Sequence, residues 1–150
     1  MGSSADLRVA PADVRVFSID EANAVLGPVE GILQEMDPGV ARLRELRELI
    51  EDLEQYFGED LANAPLVDRE RHGTMWREAE NISESLDGDI ARIHSFGCLV
   101  KDVGSGLVDF HGIVDGEIVF LCWKRGEPRI GSYHPLNTGF AGRKPLPTAI

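Results

Sequence analysis

The side chains best suited to chemistry sit in the C-terminal third of the chain: Asp109, Cys122, Glu127, His134 and Arg143. Asp109, Cys122 and His134 offer a carboxylate, a thiol and an imidazole, a set that binds Zn²⁺ or Fe²⁺ when the three converge. No paired spacing such as H-x-x-x-H or C-x-x-C supports them locally, so a metal site here depends on the fold. The competing reading is a hydrogen-bonded aspartate beside a packed thiol, and no specific motif indicates a cofactor. Glu127 lies in the turn Gly126-Glu127-Pro128, and Arg143 closes the segment Gly139-Phe140-Ala141-Gly142-Arg143. The two could meet as an ion pair that pins the tail to the sheet. Alternatively Arg143 holds a carboxylate or phosphate while Glu127 or Asp109 works as a base. The candidate ligand-binding residues are therefore Asp109, Glu127, His134 and Arg143, and the candidate metal ligands are Asp109, Cys122 and His134. No Ser-His-Asp or Cys-His arrangement has local context, so no catalytic residue is assigned. Gly104-Ser105-Gly106 joins strand to strand without a helix N-terminus and reads as a turn, not a phosphate cradle. Lys101-Asp102 reads as a salt bridge at a strand end.

These residues must be positioned by strands. After Gly97 the apolar period changes from 3.6 to 2. Cys98–Lys101 is a short candidate strand. Leu107–Val114 and Glu117–Trp123 are two strong strands around Asp115-Gly116, the dipeptide that favours a two-residue hairpin. Such a loop pairs Val114 with Glu117, Gly112 with Val119, Phe110 with Leu121 and Val108 with Trp123, which makes one side apolar. The other side pairs Ile113 with Ile118, His111 with Phe120 and Asp109 with Cys122. A last strand, Arg129–His134, adds Ile130, Ser132 and His134 to that second side if Arg129 pairs with Trp123. The second side must then face solvent, a partner, or the C-terminal tail.

The first hundred residues are helical in pattern. Ser18-Ile19-Asp20-Glu21 is a capping box, with Phe17 placed as a hydrophobic staple. Ala22, Val25, Val29, Ile32 and Met36 form one face, and Pro28 predicts a kink or break near Leu26. Asp37-Pro38-Gly39 reads as the end of that helix and the N-cap of a second, striped by Val40, Leu43, Leu46, Ile50, Leu53 and Phe57. Residues 58–67 read as a loop, and a third helix is expected over about 68–96. The expected fold is α+β: an antiparallel helical hairpin or three-helix bundle packed on a three- to four-stranded antiparallel β-meander. A flexible leader at 1–13 precedes one domain over 14–146, with helices in 18–96, the sheet in 98–134 and a Gly/Pro-rich tail over 135–150.

Charge narrows the function classes. The net charge is −11, and residues 1–100 hold 21 acids against nine arginines with no lysine. An acidic helical half argues against nucleic acid and anionic membrane surfaces as partners. No apolar run approaches the ~20 residues of a membrane span. Two cysteines without C-x-x-C spacing read as thiols of a reducing, cytoplasmic compartment.

The strings Lys101-Asp102, Gly106-Leu107-Val108-Asp109-Phe110, Leu121-Cys122-Trp123, Gly126-Glu127-Pro128, His134 and Gly139–Arg143, with the opening Phe17–Asn23, carry a resemblance. Over about residues 16–146 the chain resembles an uncharacterised bacterial family, the domain of unknown function numbered twenty-two-oh-three. That resemblance implies a domain type of bacterial origin and supplies no activity. His111 departs from the family pattern, where proline is usual, which argues against His111 as a shared catalytic group. Two functions are consistent with these readings. One is a non-enzymatic module that self-associates as a homo-oligomer or binds a protein partner. The alternative is a small-ligand or metal site, catalytic or not, on the polar sheet face.

Overall fold

The computed structural model describes residues 14–147; the expected leader, 1–13, and the last three tail residues, 148–150, lie outside the described residues. Helix α1 runs Ile19–Phe57, a 3₁₀ segment follows over Gly58–Asn63, and α2 runs Leu66–His94. Then come β1 (Leu99–Asp102), β2 (Leu107–Val114), β3 (Glu117–Lys124) and β4 (Ser132–His134). A short 3₁₀ turn, Phe140–Gly142, leads to β5 (Lys144–Pro145). The strands form one antiparallel meander in the order β1-β2-β3-β4-β5. The fold is α+β, with two corrections: among the described residues two α-helices stand where three were possible, and five strands where three or four were expected. The 58–67 segment is also largely 3₁₀ and helix rather than loop.

The first correction has a clear cause. The start of α1 is as read: the Ser18 amide donates to Glu21 Oε1 at 2.8 Å and the Glu21 amide donates to Ser18 Oγ at 3.0 Å. The helix then passes through both Pro28 and Pro38 without a break. Each proline removes one hydrogen bond, to the carbonyl four residues back. Those carbonyls belong to Ala24 and Gln34, which are exposed, as are both prolines, so water can satisfy them. The buried face is uninterrupted: Met36 is followed four residues later by Val40, so the two expected stripes are in phase and continue one another.

The chain clusters into two compact units. One is Leu33–Ala91, an antiparallel helical hairpin. Its core is Leu43, Leu46 and Ile50 of α1 against Met75 and Ala79 of α2, with Leu53, Ile82 and Leu86 packed around it. Gly39 lets α2 come close; a Cβ there would meet the Leu86 side chain at 3.3 Å. Across the hairpin Arg42 Nε donates to Glu78 Oε2 at 2.7 Å, and His72 Nε2 lies 2.8 Å from Glu54 Oε2.

The other unit contains the start of α1 to Ile32, the end of α2 from Arg92, and the sheet. The β2–β3 register is the one the Asp-Gly loop dictates, with Val108↔Trp123, Phe110↔Leu121, Gly112↔Val119 and Val114↔Glu117. Asp115 adopts φ 52° and Gly116 φ 81°, the left-handed pair that a two-residue loop of this type requires. Val108, Phe110, Val119, Leu121 and Trp123 are buried, and Ala22, Leu26, Val29, Ile32 and Ile93 supply the helical share of this core. Phe17 meets Phe110 edge-to-face at 5.1 Å, and its amide donates to the His111 carbonyl at 2.7 Å. The Asn23 side-chain oxygen accepts from the Ile130 amide at 2.8 Å, and Arg125 Nε donates to Glu30 Oε2 at 2.6 Å.

A helix that keeps two prolines on its exposed face should be more stable without them. Replacing either Pro28 or Pro38 by Ala is expected to raise stability by about 2 kcal/mol, the helix-interior cost of proline less the entropy it removes from the unfolded chain. Urea titration followed by circular dichroism measures it; an unchanged midpoint in both variants would show that the prolines cost this helix nothing.

Candidate functional site

The polar sheet face forms as the hairpin register implies, and its third strand lands on it. Asp109 on β2 stands opposite Cys122 on β3, which stands opposite Ser132 on β4; His134 pairs with Phe120. This β3–β4 pairing lies two residues from the expected one (Arg129 with Trp123). A shift of two preserves the face, because side chains alternate with period two. Asp109 and His134 therefore project to the same side from strands that flank β3. Strands two apart are separated by about 9–10 Å. The aspartate and imidazole bridge that gap above the small Cys122 side chain, and His134 Nε2 lies 3.0 Å from Asp109 Oδ2.

All three residues are buried: Asp109 at 2%, Cys122 at 1% and His134 at 2% exposure. Their ligand atoms all lie within 4.8 Å of one another. The open question of what covers this face is settled against solvent for these three positions. Of its apolar residues Phe120 and Ile130 are buried, Ile118 is half-buried and Ile113 is strongly exposed.

The hydrogen bonds determine where protons can be. His134 Nδ1 lies 2.9 Å from the Pro135 carbonyl oxygen. That oxygen only accepts, so Nδ1 carries a hydrogen, and in the neutral ring Nε2 is a bare lone pair. A bare nitrogen and a carboxylate oxygen at 3.0 Å repel unless a cation lies between them. In the metal-free state that cation is a proton, held by the imidazole or by the carboxyl. Burial pushes the Asp109 carboxyl above its ordinary range, against the pull of His134 and Lys101. Burial, reinforced by the Asp109 charge, pushes the Cys122 thiol up to about 12. A bound cation would replace the proton of the Cys122 thiol and the one shared between Asp109 and His134.

Beside this cluster Glu127 and Arg143 meet as expected. Arg143 Nη2 donates to Glu127 Oε1 at 2.6 Å and Oε2 at 2.7 Å, and reaches the Cys122 carbonyl at 3.4 Å. Glu127 Oε1 also accepts the Lys124 amide at 2.8 Å, which closes the turn after β3. The arginine stacks over Phe140 at 4.7 Å, so the pair ties the tail segment to the sheet. Its Nε is buried and has no hydrogen-bond partner among the described residues. The five candidate residues thus form two adjoining groups, Asp109–Cys122–His134 and Glu127–Arg143, that meet at Cys122.

The strand-end salt bridge expected of Lys101-Asp102 does not form. Asp102 does not pair with Lys101; its Oδ2 accepts from the Ser105 amide at 3.1 Å and from the Ser105 hydroxyl. Lys101 instead sits over the Phe120 ring, 4.4 Å from its centroid. Phe120 is flanked by His111 at 4.6 Å and His134 at 5.4 Å, an aromatic row along one face. The signal was present in the face assignment, since His111, Phe120 and His134 share that side, but nothing in the sequence marks Lys101 as its cap.

Deep burial and raised titration make a direct prediction for the two thiols. Cys98 is held up to about 11 by burial, so at pH 7 neither cysteine has appreciable thiolate, the reactive form. A bulky disulfide reagent should leave both thiols unmodified in the native protein and titrate two at once on denaturation. A thiol that reacts rapidly in the folded state would show that the site is open.

Compared with known proteins, residues 15–146 match the family described as "Uncharacterized conserved protein (DUF2203)". No curated protein and no solved structure matches the chain.

Proposed function

Because the chain belongs to this uncharacterised conserved family, whose description names no activity, its function is read from the site, and we propose that it binds a divalent transition-metal ion of the zinc type through Asp109, Cys122 and His134. One observation carries the reading. With Nδ1 committed to the Pro135 carbonyl, the Nε2 lone pair of His134 faces Asp109 Oδ2 beside the Cys122 sulfur, inside a buried cluster. Metal-bound histidines commonly donate their other ring N–H to a carbonyl, which fixes the tautomer and aims the lone pair. Imidazole, thiolate and carboxylate together suit Zn²⁺ and its spectroscopic substitute Co²⁺. Three protein ligands leave a fourth position for water or a ligand group, and the neighbouring Arg143 would stabilise the thiolate.

Proton bookkeeping gives the test. The metal-free site holds one proton on Cys122 and one between Asp109 and His134, so an ion that takes all three ligands releases about two protons. Affinity therefore rises with pH, by up to about a hundredfold per unit below the titration ranges of these groups. Titration of the protein with Co²⁺ should give one equivalent bound, with a sulfur-to-cobalt charge-transfer band. Calorimetry in buffers of different ionisation enthalpy reads the proton count. Cys122→Ser should abolish the band and weaken binding by at least about a hundredfold, with the fold checked by circular dichroism. A folded wild-type protein that shows no stoichiometric binding and no band would overturn the proposal.

A second reading, self-association or a protein partner, has its own support in the hairpin unit. Large apolar side chains are exposed near the end where α1 and α2 are joined, with Tyr56 at 82%, Leu66 at 59% and Val67 at 70% exposure, and Trp76 further along α2. Such a patch is what an interface would cover. Light scattering at tens of micromolar distinguishes the forms, and a monomer whose mass is unchanged by Val67→Asp would remove the self-association branch.

A further inference from the structure

A second, independent feature of the sheet unit points to a ligand. Where β4 stops at the Phe120↔His134 pair, the edge of β3 away from β2 over Glu117–Val119 has no strand beside it among the described residues. A cavity of about 730 Å³ occupies this position, bounded by that edge, by Pro135–Asn137 and by Lys101 and Lys144. Pockets for small molecules commonly fall between about 300 and 1,000 Å³.

The charges around it are sorted by position. The chain has three lysines, and two of them, Lys101 and Lys144, line this one cavity in a protein of net charge −11. Lys101 is parked over the Phe120 ring. Lys144 pairs with Tyr133, which pairs with Leu121, so by register it belongs to the sheet face opposite to Phe120 and Lys101; the cavity is lined from both faces at the open edge of β3, and the two lysines flank it level with the Phe120–Leu121 step. Neither makes an ion pair among the described residues. The acidic lining residues, Asp115 and Glu117, belong to the hairpin turn. At about 3.3 Å per residue, Glu117 lies about 10 Å along the strand from Phe120. The lysine end is also the aromatic end, and Ile118 and Leu136 add apolar wall.

We propose that this cavity binds a small organic anion with an apolar body, its carboxylate or phosphate held between Lys101 and Lys144 and its body laid along Phe120, Ile118 and Leu136. Unpaired ammonium groups beside apolar wall recognise an anionic head joined to a hydrocarbon or aromatic body, and a neutral or cationic isostere loses the charged contacts. The site adjoins the cation cluster through the Phe120–His134 ring contact, through Pro135, whose carbonyl accepts from His134 Nδ1, and through the pull of Lys101 on Asp109. Its own anchors are the two lysines and the apolar wall, so the proposal does not depend on a metal.

Titration calorimetry with phenylpropanoate, its alcohol and its amine tests the idea on the full chain. The carboxylate should bind one to one, and tighter than the alcohol by at least about tenfold, with an affinity that falls as salt is added. Lys101→Met and Lys144→Met should each weaken it by about tenfold, while Lys124→Met, outside the cavity, should leave it unchanged. Cys122→Ser should also leave it unchanged, which separates this site from the metal proposal. The inference is overturned if no member of the series binds, if the alcohol or amine binds as tightly as the carboxylate, or if the Lys101/Lys144 double variant binds the carboxylate like the native chain.

Discussion

The arrangement of the sheet half follows from a single turn. Asp115 and Gly116 occupy left-handed conformations, so β2 and β3 meet across two residues, and every other β2–β3 pairing inherits that register. The consequence on one face is a continuous apolar surface, Val108, Phe110, Val119, Leu121 and Trp123, buried in the core of this unit. The consequence on the other face is that Asp109 lies opposite Cys122, with His111 and Phe120 one pair further along. A slip of one residue would exchange the two faces, putting Asp109 and Cys122 into the apolar core and Phe110 and Leu121 outside. Gly112 enforces the same register sterically, since a Cβ there would lie 2.6 Å from the Leu121 side chain. Core packing and site assembly are therefore two readings of one constraint.

Burial then gives the site its chemical character. A carboxylate, an imidazole and a thiol in water would be ordinary surface groups. Here they are removed from solvent, and each charged form requires a compensating partner. The His134–Asp109 contact is the result, made directional by the Pro135 carbonyl on the far ring nitrogen. The Glu127–Arg143 pair plays a different part. It is half-buried, bidentate and tied to the backbone of β3, and it keeps the tail segment against the strand that carries Cys122.

What was legible in the sequence was whatever local chemistry decides. Ser18 and Glu21 form a reciprocal cap because their spacing allows nothing better for those amides. The hairpin register was legible because the loop length leaves one solution. Glu127 and Arg143 were legible as partners because a carboxylate and a guanidinium at turn and tail have few other uses. What local signals could not decide was settled by burial over longer range. Asp37-Pro38-Gly39 looks like a helix boundary, yet Met36 and Val40 continue one apolar stripe, and the helix follows the stripe. Strand β5 has two residues, one of them proline, and no periodicity to detect; it exists because Lys144 and Pro145 run beside β4. The salt bridge read into Lys101-Asp102 failed because the turn after β1 needs the Asp102 carboxylate to hold Ser105.

The placement of one cluster residue on each of β2, β3 and β4 has a consequence for the order of events in folding. The β2–β3 hairpin is local and closes early, so Asp109 and Cys122 come together without help from the rest of the chain. His134 arrives only when β4, three residues long and joined by an irregular connection, has docked on β3. Until then Asp109 has no imidazole to share a proton with. The cluster therefore reports completion: it comes into existence with the last strand to reach the face, and an intermediate lacking β4 would lack it altogether.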